Sequence, residues 1–294
     1  MKKLLHLVLS SSLIFFTTSC SDKQEKPNII IIMADDMGYS DLGCYGGEVH
    51  TPNLDGLASN GIRFTQFYNA ARCCPSRASL MTGLYPHQTG LGYMTSVDYG
   101  LPGYRADLNK QCLTIAEVLQ TEGYHTYRSG KWHLTQSIFE GQDESTWPLQ
   151  RGFDRFYGTL IAAGSFWDPI TLMRDNEAIT AEGDFYYTEA ISQNAVGFIE
   201  ESEPGDPFFL YVAYTAPHWP IHARKEIIET YGGRFSAGWE KLRQERYDRM
   251  LEMGIINPEW KLSPGDTEKS GEWEDAPNKD WEERRMEVYA AMID

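Results

Sequence analysis

Residues 73–83 have the types and order expected of a nucleophile at the start of a helix. Pro75 favours the first helical position, and Gly83 favours the end of a short helix. Cys73 would then lie just before the helix N-terminus, where free backbone N–H groups attract an anion. Arg77 follows one turn later and adds a fixed positive charge suited to an oxyanion. The pattern predicts a reactive cysteine, with a buried structural cysteine as the alternative.

Two adjacent carboxylates follow the first strongly apolar segment. Residues 29–33 form a continuous run typical of a strand that is covered on both faces in a parallel sheet. Asp35 and Asp36 come directly after it, and like charges this close repel each other. A hard divalent cation would remove the repulsion, because carboxylate oxygens are its preferred ligands. The alternative is an ordinary surface turn.

Positively charged and histidine side chains follow two further predicted strands. Lys131 and His133 come after residues 125–129, and His218 comes after residues 207–214. Residues two apart on an extended segment point the same way, so Lys131 and His133 could face one pocket. Taken alone, Lys131 and His133 are more often part of a solvated loop, and His218 could equally be a structural loop residue. Ligands of open parallel sheets bind beyond the carboxyl ends of the strands, so we expect these residues and the two carboxylates to converge.

The remaining pattern alternates helices and strands. A helix at residues 51–61 is predicted to have Thr51 as its cap, and residues 62–68 are predicted to form a strand. Thr114 and Glu117 have the spacing of a capping box at the start of another helix. Further predicted elements are helices at residues 188–201 and 239–254, an acidic linker at 264–279, and a last helix that ends without a capping signal. The alternation predicts an α/β sheet with helices on both faces.

The motifs resemble those of the type I sulfatases. The match consists of Cys73-x-Pro75-Ser76-Arg77, then Leu80-Met81-Thr82-Gly83, and the segments Gly-Lys-Trp-His-Leu at 130–134 and Leu-Gln-Arg-Gly-Phe-Asp at 149–154. The resemblance covers nearly all of residues 27–294. It implies an alkaline-phosphatase-like α/β sandwich with a mostly parallel central sheet. It also implies that residues 27–294 are the N-terminal portion of a catalytic domain that in the family continues further.

The resemblance also implies a nucleophile and a metal. In this family a separate maturation enzyme oxidises the cysteine that matches Cys73 to formylglycine, an aldehyde. Asp35 and Asp36 match the first ligands of a calcium ion, to which the oxidised Cys73 adds a further ligand. Arg77 matches the residue that holds the hydroxyl of the nucleophile.

The remaining matched residues are implied to act on the sulfate. Lys131 and His218 would contact it, with His218 near the bridging oxygen as the candidate acid for the leaving alcohol. His133 would serve the formylglycine. The family's later Asp-Asn pair and sulfate-binding lysine have no counterpart in residues 1–294, so we expect this chain to hydrolyse sulfate esters weakly or not at all.

Three functions are compatible with these residues. The first is a sulfuric ester hydrolase that acts on an aryl or glycan sulfate, with a sulfated small molecule or glycan as its partner. The second is a phosphonate or phosphodiester hydrolase of the same superfamily. The third is a surface lipoprotein that binds sulfate without turnover.

Composition excludes some partners. The formal charge is −16 and no concentrated basic run is present, which argues against nucleic acid. An anionic substrate must therefore be captured by a local cluster of positive groups. After Cys20 and Cys73 are given roles, Cys44, Cys74 and Cys112 remain of the five cysteines, and this odd number predicts no disulfide framework.

Residues 1–20 have the features of a lipoprotein-type signal peptide. Lys2 and Lys3 precede an apolar run, which is shorter than a membrane span requires and ends in small polar residues. Cys20 lies where a bacterial lipoprotein is cut and acylated, and residues 21–26 would be a polar tether. We expect an exported protein of the periplasm or outer membrane, in contact with the membrane only through a lipid at Cys20. An ordinary secretory signal is the alternative.

Overall fold

The structure is a computed structural model that describes residues 26–294 except residue 140. The predicted signal peptide, with Cys20, and residues 21–25 of the predicted tether lie outside the described residues. Among the helices that are described, none combines the length and apolar character needed to cross a membrane.

Six strands form one mixed sheet in the order β1-β6-β2-β3-β4-β5. They are β1 (Ile29–Met33), β2 (His125–Gly130), β3 (Arg155–Thr159), β4 (Leu172–Arg174), β5 (Glu177–Ala178) and β6 (Phe208–Ala213). The neighbours β1, β6, β2 and β3 pair in parallel, whereas β4 and β5 pair antiparallel at one edge. The mostly parallel sheet predicted from the sequence is confirmed.

Helices pack on both faces of this sheet. The described helices are α1 (Pro52–Asn60), α2 (Cys73–Thr82), α3 (Ile115–Thr121), α4 (Tyr187–Glu200), α5 (Lys225–Thr230), α6 (Trp239–Glu252), α7 (Thr267–Ser270) and α8 (Lys279–Ile293), of which α2, α3, α4, α5 and α8 supply buried residues to the two cores. Alternate residues of β6 belong to two different cores: Phe208 and Leu210 join residues of α4, α5 and α8, while Phe209 and Tyr211 join residues of α2 and α3. A continuous apolar run suits β6 because both of its faces are covered.

The apolar run of β1 has a different environment from the predicted one. Ile30 is 48% exposed and Ile32 is 55% exposed, whereas Ile29 and Ile31 pack partly against the core. The prediction that this strand is covered on both faces is therefore wrong. β1 is the first strand of the sheet order and pairs with β6 on one side. The apolar run correctly predicted a strand, but it did not show which face of that strand packs against the core.

Residues 62–68 do not form the predicted strand. They are irregular and exposed throughout. A strand needs a neighbour for its backbone N–H and C=O groups. None of the six described strands pairs with this segment, and its β-branched and aromatic residues alone do not make one.

The helix ends agree in part with their predicted signals. Gly83 ends α2 in the left-handed conformation, with φ of 69°, and Thr114 caps α3 through the predicted box with Glu117. However, α2 begins at Cys73 and not at Pro75, so the cysteine is inside the first turn. Thr51 occupies the predicted N-cap position of α1, but its side chain makes no capping hydrogen bond. The Thr51 hydroxyl accepts the Gly43 N–H instead of an N–H of its own helix.

Gly130 lies where β2 passes closest to β6. Its φ is 110°, and a Cβ at this position would lie 2.0 Å from the carbonyl oxygen of Ala213. We predict that Gly130→Ala lowers the free energy of unfolding by at least about 2 kcal/mol, because the backbone must shift and the conformation is strained. Urea unfolding measures this difference.

Gly197→Ala is the matched control. Gly197 lies inside α4, and its Cβ would meet nothing within 4 Å. Alanine should raise the free energy of unfolding there by about 0.5–1 kcal/mol. Equal unfolding midpoints for the two variants would show that the backbone of β6 leaves room for a Cβ at position 130.

Candidate active site

A buried carboxylate with two cationic partners lies beyond the carboxyl ends of β1 and β2. Asp35 is 5% exposed. Its Oδ2 accepts a hydrogen bond from Lys131 Nζ and lies 3.2 Å from Arg77 Nη2. Both cationic side chains are fully buried. The structure thus brings together residues that follow two separate strands with one from α2.

Backbone hydrogen bonds explain why these residues meet. The Asp35 N–H donates to Ala216 O at 3.0 Å, and the Lys131 N–H donates to Ala213 O at 2.8 Å. Both bonds continue the parallel pairing with β6 past the strand ends. Arg77 is fixed from α2 by donating to the Lys131 carbonyl at 3.1 Å. The register of three strands therefore determines the position of the Asp35 carboxylate.

Charge and burial act in opposite directions on this cluster. Burial disfavours the ionised form of Asp35, but Arg77 and Lys131 outweigh it and hold the pKa of that carboxyl below its ordinary value. Burial, reinforced by Arg77, lowers the pKa of Lys131. The ion pairs keep Asp35 charged.

Arg128 is a further buried cation that sequence reasoning missed. Its guanidinium lies 4.4 Å from the ring centre of Tyr211 and 4.7 Å from that of Trp132, and it donates to the Lys131 carbonyl. Burial lowers its pKa to about 10. Arg128 thus lies behind Lys131, among aromatic rings, whereas Arg77 and Lys131 contact the Asp35 carboxylate directly. An arginine in the middle of a predicted strand was the available signal, because an arginine buried in a sheet requires a special environment.

Cys73 lies at the start of α2 beside His218. The ligand atoms of Asp35, Cys73 and His218 are within 4.8 Å of one another. His218 Nδ1–H donates to the Trp219 carbonyl at 2.5 Å, so its Nε2 faces the cluster, 3.5 Å from Asp36 Oδ2. The Cys73 side chain, with the Trp219 carbonyl, raises the pKa of His218 against the effect of burial. This favours an imidazole with a proton on each nitrogen.

His133 has a different partner from Lys131. Its ring Nε2 lies 3.2 Å from Cys74 Sγ. Its backbone N–H donates to the carbonyl of Leu160, which directly follows β3, whereas the backbone N–H of Lys131 donates to β6. Burial and the neighbouring positive charges lower the pKa of His133 to about 2, and burial raises the pKa of Cys74 to about 11. Both side chains are therefore neutral. Among the described residues, His133 Nδ1 has no hydrogen-bond partner.

The residues fit a calcium ion in part. Asp35 and Asp36 offer the hard carboxylate oxygens that calcium prefers. Both cationic contacts of Asp35 are made by Oδ2, so Oδ1 remains as a ligand. Cys73 offers sulfur as a thiol and becomes an oxygen ligand only when oxidised. These three residues supply fewer than the six to eight oxygens that calcium usually takes.

Comparison with known proteins decides the family. A family model described as Sulfatase matches residues 27–293. The chain belongs to the sulfatase family. An arylsulfatase from Klebsiella aerogenes is 34% identical over 284 residues, covering 92% of this chain and 60% of that protein. Formylglycine and calcium are typical of this family.

Solved sulfatase structures confirm the fold. A putative sulfatase, yidJ from Bacteroides fragilis, superposes with a TM-score of 0.66 at 22% identity, covering 94% of this chain and 57% of that one. The crystal structure of Ps i-CgsB in complex with k-i-k-neocarrahexaose gives a TM-score of 0.61 at 30% identity, covering 78% of this chain and 52% of that one. The predicted alkaline-phosphatase-like fold is confirmed. This sulfatase chain spans 52–60% of the lengths of the three proteins.

We predict that Cys73, and not Cys74, is converted to formylglycine. Only Cys73 has proline two places on and arginine four places on, and Cys74 is buried against His133. Mass spectrometry of tryptic peptides, after co-expression with a maturation enzyme, tests this. The Cys74→Ala variant should retain the aldehyde and Cys73→Ala should lose it, whereas an aldehyde at Cys74 contradicts the assignment.

Proposed function

We propose that the protein to which this chain belongs hydrolyses sulfate esters through an oxidised Cys73. The pairing of Arg77 and Lys131 with Asp35 supports this most directly. Two buried cations and one buried carboxylate leave one excess positive charge beside the cysteine, in a chain whose formal charge is −16. A sulfate group placed there would balance that charge.

Each residue has a role in this proposal. Lys131 and Arg77 bind the anionic group and orient it toward position 73, with Asp35 fixing both cations. Arg77 is also placed to hold a hydroxyl of the nucleophile, since Cys73 lies one turn before it in α2. His133, neutral and with Nδ1 unpaired among the described residues, can accept or donate a hydrogen bond at that atom, according to its tautomer. Hydrated formylglycine supplies two hydroxyls, one to attack sulfur and one whose deprotonation lets sulfate leave.

His218 is the proposed acid for the leaving alcohol. Its Nδ1–H is engaged by the Trp219 carbonyl, so the proton available for transfer is the one on Nε2, which faces the cluster. The raised pKa of His218 favours retention of that proton. Asp36 adds a negative charge 3.5 Å away and stabilises the imidazolium.

Calcium is the proposed metal, with Asp35, Asp36 and the oxidised Cys73 as its ligands from this chain. It would supply positive charge that stabilises the transferring group. The proposed substrate is an aryl or glycan sulfate, because one relative is named an arylsulfatase and the neighbour with 30% identity was solved with a neocarrahexaose. We also propose a formylglycine-forming partner, export, and a lipid anchor at Cys20.

A phosphonate or phosphodiester hydrolase is the second candidate, because the same buried cations would accept a phosphoryl group. We expect an aryl sulfate to be turned over faster than an aryl phosphodiester. We also expect very slow turnover by the 294-residue chain, even with Cys73 oxidised, because its cluster supplies few calcium ligands. A chain extended by the remaining segment of the Klebsiella relative should be much faster, and the Cys73→Ala variant of the extended chain controls for background.

These assays separate the candidates. A preference for the phosphodiester would favour the second candidate. Sulfate binding without turnover by the extended, oxidised chain would favour a sulfate-binding lipoprotein. Equal turnover of the aryl sulfate by both chain lengths would show that further metal ligands are dispensable.

We predict that His218→Gln slows hydrolysis of an alkyl sulfate by roughly 10²–10⁴-fold. A nitrophenyl sulfate should be affected much less, because its leaving group needs little protonation. The acid must be protonated, so the wild-type rate on the alkyl sulfate should fall as pH rises through the raised pKa of His218. The rate of the His218→Gln variant should not show this fall with rising pH. Equal losses on the two substrates, measured with the extended chain, would assign His218 to binding instead.

A further inference from the structure

We infer that Tyr289 of α8 is a positioning residue for Asp36, which it holds in place through Asp41. This inference rests on the proposed function, in which Asp36 is a calcium ligand. Tyr289 itself would touch neither the metal nor the substrate.

The backbone of Asp36 requires support from its surroundings. Its φ is 63°, in the left-handed region that a residue with a Cβ adopts at a cost of about 1–2 kcal/mol. Its side chain is 58% exposed, so core packing does not fix it. The conformation must be maintained by contacts of the loop that follows β1.

The Tyr289 hydroxyl joins the two ends of that loop. It donates to Asp41 Oδ2 at 2.9 Å and lies 3.4 Å from the carbonyl oxygen of Asp36. The Gly38 N–H donates to the same Asp41 oxygen at 2.8 Å. Asp41 Oδ2 therefore links the middle of the loop to α8. The Tyr289 hydroxyl also lies close to Asp36, the proposed metal ligand.

The other oxygen of Asp41 is oriented from α6. Arg246 Nη1 lies 4.0 Å from Asp41 Oδ1, and its Nε donates to Glu48 Oε2 at 2.9 Å. The Asp41 carboxylate is thus approached on both sides, by Tyr289 and by an arginine that is itself held by a second carboxylate. Its orientation is determined by two helices that are distant in sequence.

These contacts control the direction of the Asp36 side chain. The Asp36 carbonyl faces Tyr289, whereas its carboxylate lies 3.5 Å from His218 Nε2 on the side of the cluster. When the loop is held in this conformation, the carboxylate lies beside His218, which belongs to the candidate metal cluster with Asp35 and Cys73. Without the hydroxyl, the left-handed residue can relax, and the carboxylate loses its fixed direction.

Tyr289→Phe tests the inference in the 294-residue chain. It removes the hydroxyl and keeps the ring. We expect the Gly38 amide to exchange with solvent at least about tenfold faster, because the oxygen that it binds is no longer held. We expect the calcium dissociation constant, measured by titration calorimetry with calcium chloride, to rise by about tenfold, the usual scale for loss of a residue that orients a metal ligand.

Tyr247→Phe is the matched control. Its hydroxyl, on the neighbouring helix α6, donates to the Trp260 carbonyl at 2.5 Å, outside residues 36–41. This variant loses one tyrosine hydroxyl of similar setting and should keep the wild-type exchange rate at Gly38 and the wild-type calcium affinity. Any general effect of losing a tyrosine hydroxyl is thereby subtracted.

The two measurements separate this inference from the proposed function. Exchange at Gly38 and calcium affinity in Tyr289→Phe that both match Tyr247→Phe would overturn the inference. If the wild-type chain binds no calcium, the proposed metal site fails, and Gly38 exchange alone then decides whether Tyr289 holds the loop. Faster exchange in Tyr289→Phe supports the inference in that case, and unchanged exchange overturns it.

Discussion

The pairing of Asp35 with Arg77 and Lys131 is the interaction on which the site depends. It places one carboxylate and two cations in an environment almost free of water, where charges are stable only when they compensate one another. Breaking a buried pair of this kind by removing one partner typically destabilises a protein by about 3–5 kcal/mol. The requirements of folding and of the proposed anion binding therefore fall on the same three side chains.

The topology of the sheet makes this interaction possible. Parallel strands end at the same edge, so β1, β2 and β6 bring their following residues together without any local sequence relation between them. β6 lies between the other two strands, and it and the segment directly after it accept backbone hydrogen bonds from Lys131 and Asp35. These backbone hydrogen bonds fix the positions of Asp35 and Lys131 relative to each other. The side chains of β6 contribute to the cores on both faces of the sheet.

The sequence allowed part of this arrangement to be predicted. Strand β6, the cap of α3 and the convergence of Asp35 with Lys131 followed from apolar runs, cap spacing and the rule for parallel sheets. The exposure of Ile30 and the absence of a strand at 62–68 could not be predicted, because both depend on which neighbours lie alongside. A hydrophobic pattern describes a segment and says nothing about its partners.

Long-range polar contacts were also beyond prediction from the sequence. Tyr289 contacts Asp41 from 248 positions away, and no local pattern marks either residue. Arg128 differs in that its burial could have been suspected from its place within a strand. Its aromatic surroundings, however, include Tyr211 and Trp132 from separate segments. Such environments arise only when the chain has folded.

The edge of β1 that does not pair with β6 has a consequence for the behaviour of this chain in solution. An edge strand presents backbone donors and acceptors that a strand of another molecule can use, and natural proteins often block such edges with charges or bulges. In β1 the five residues from Ile29 to Met33 include no charge, proline or glycine. The nearest charged residues of the described chain are Lys26 before the strand and Asp35 after it. Self-association through strand addition is therefore the expected limit on how concentrated a solution of the 294-residue chain can be.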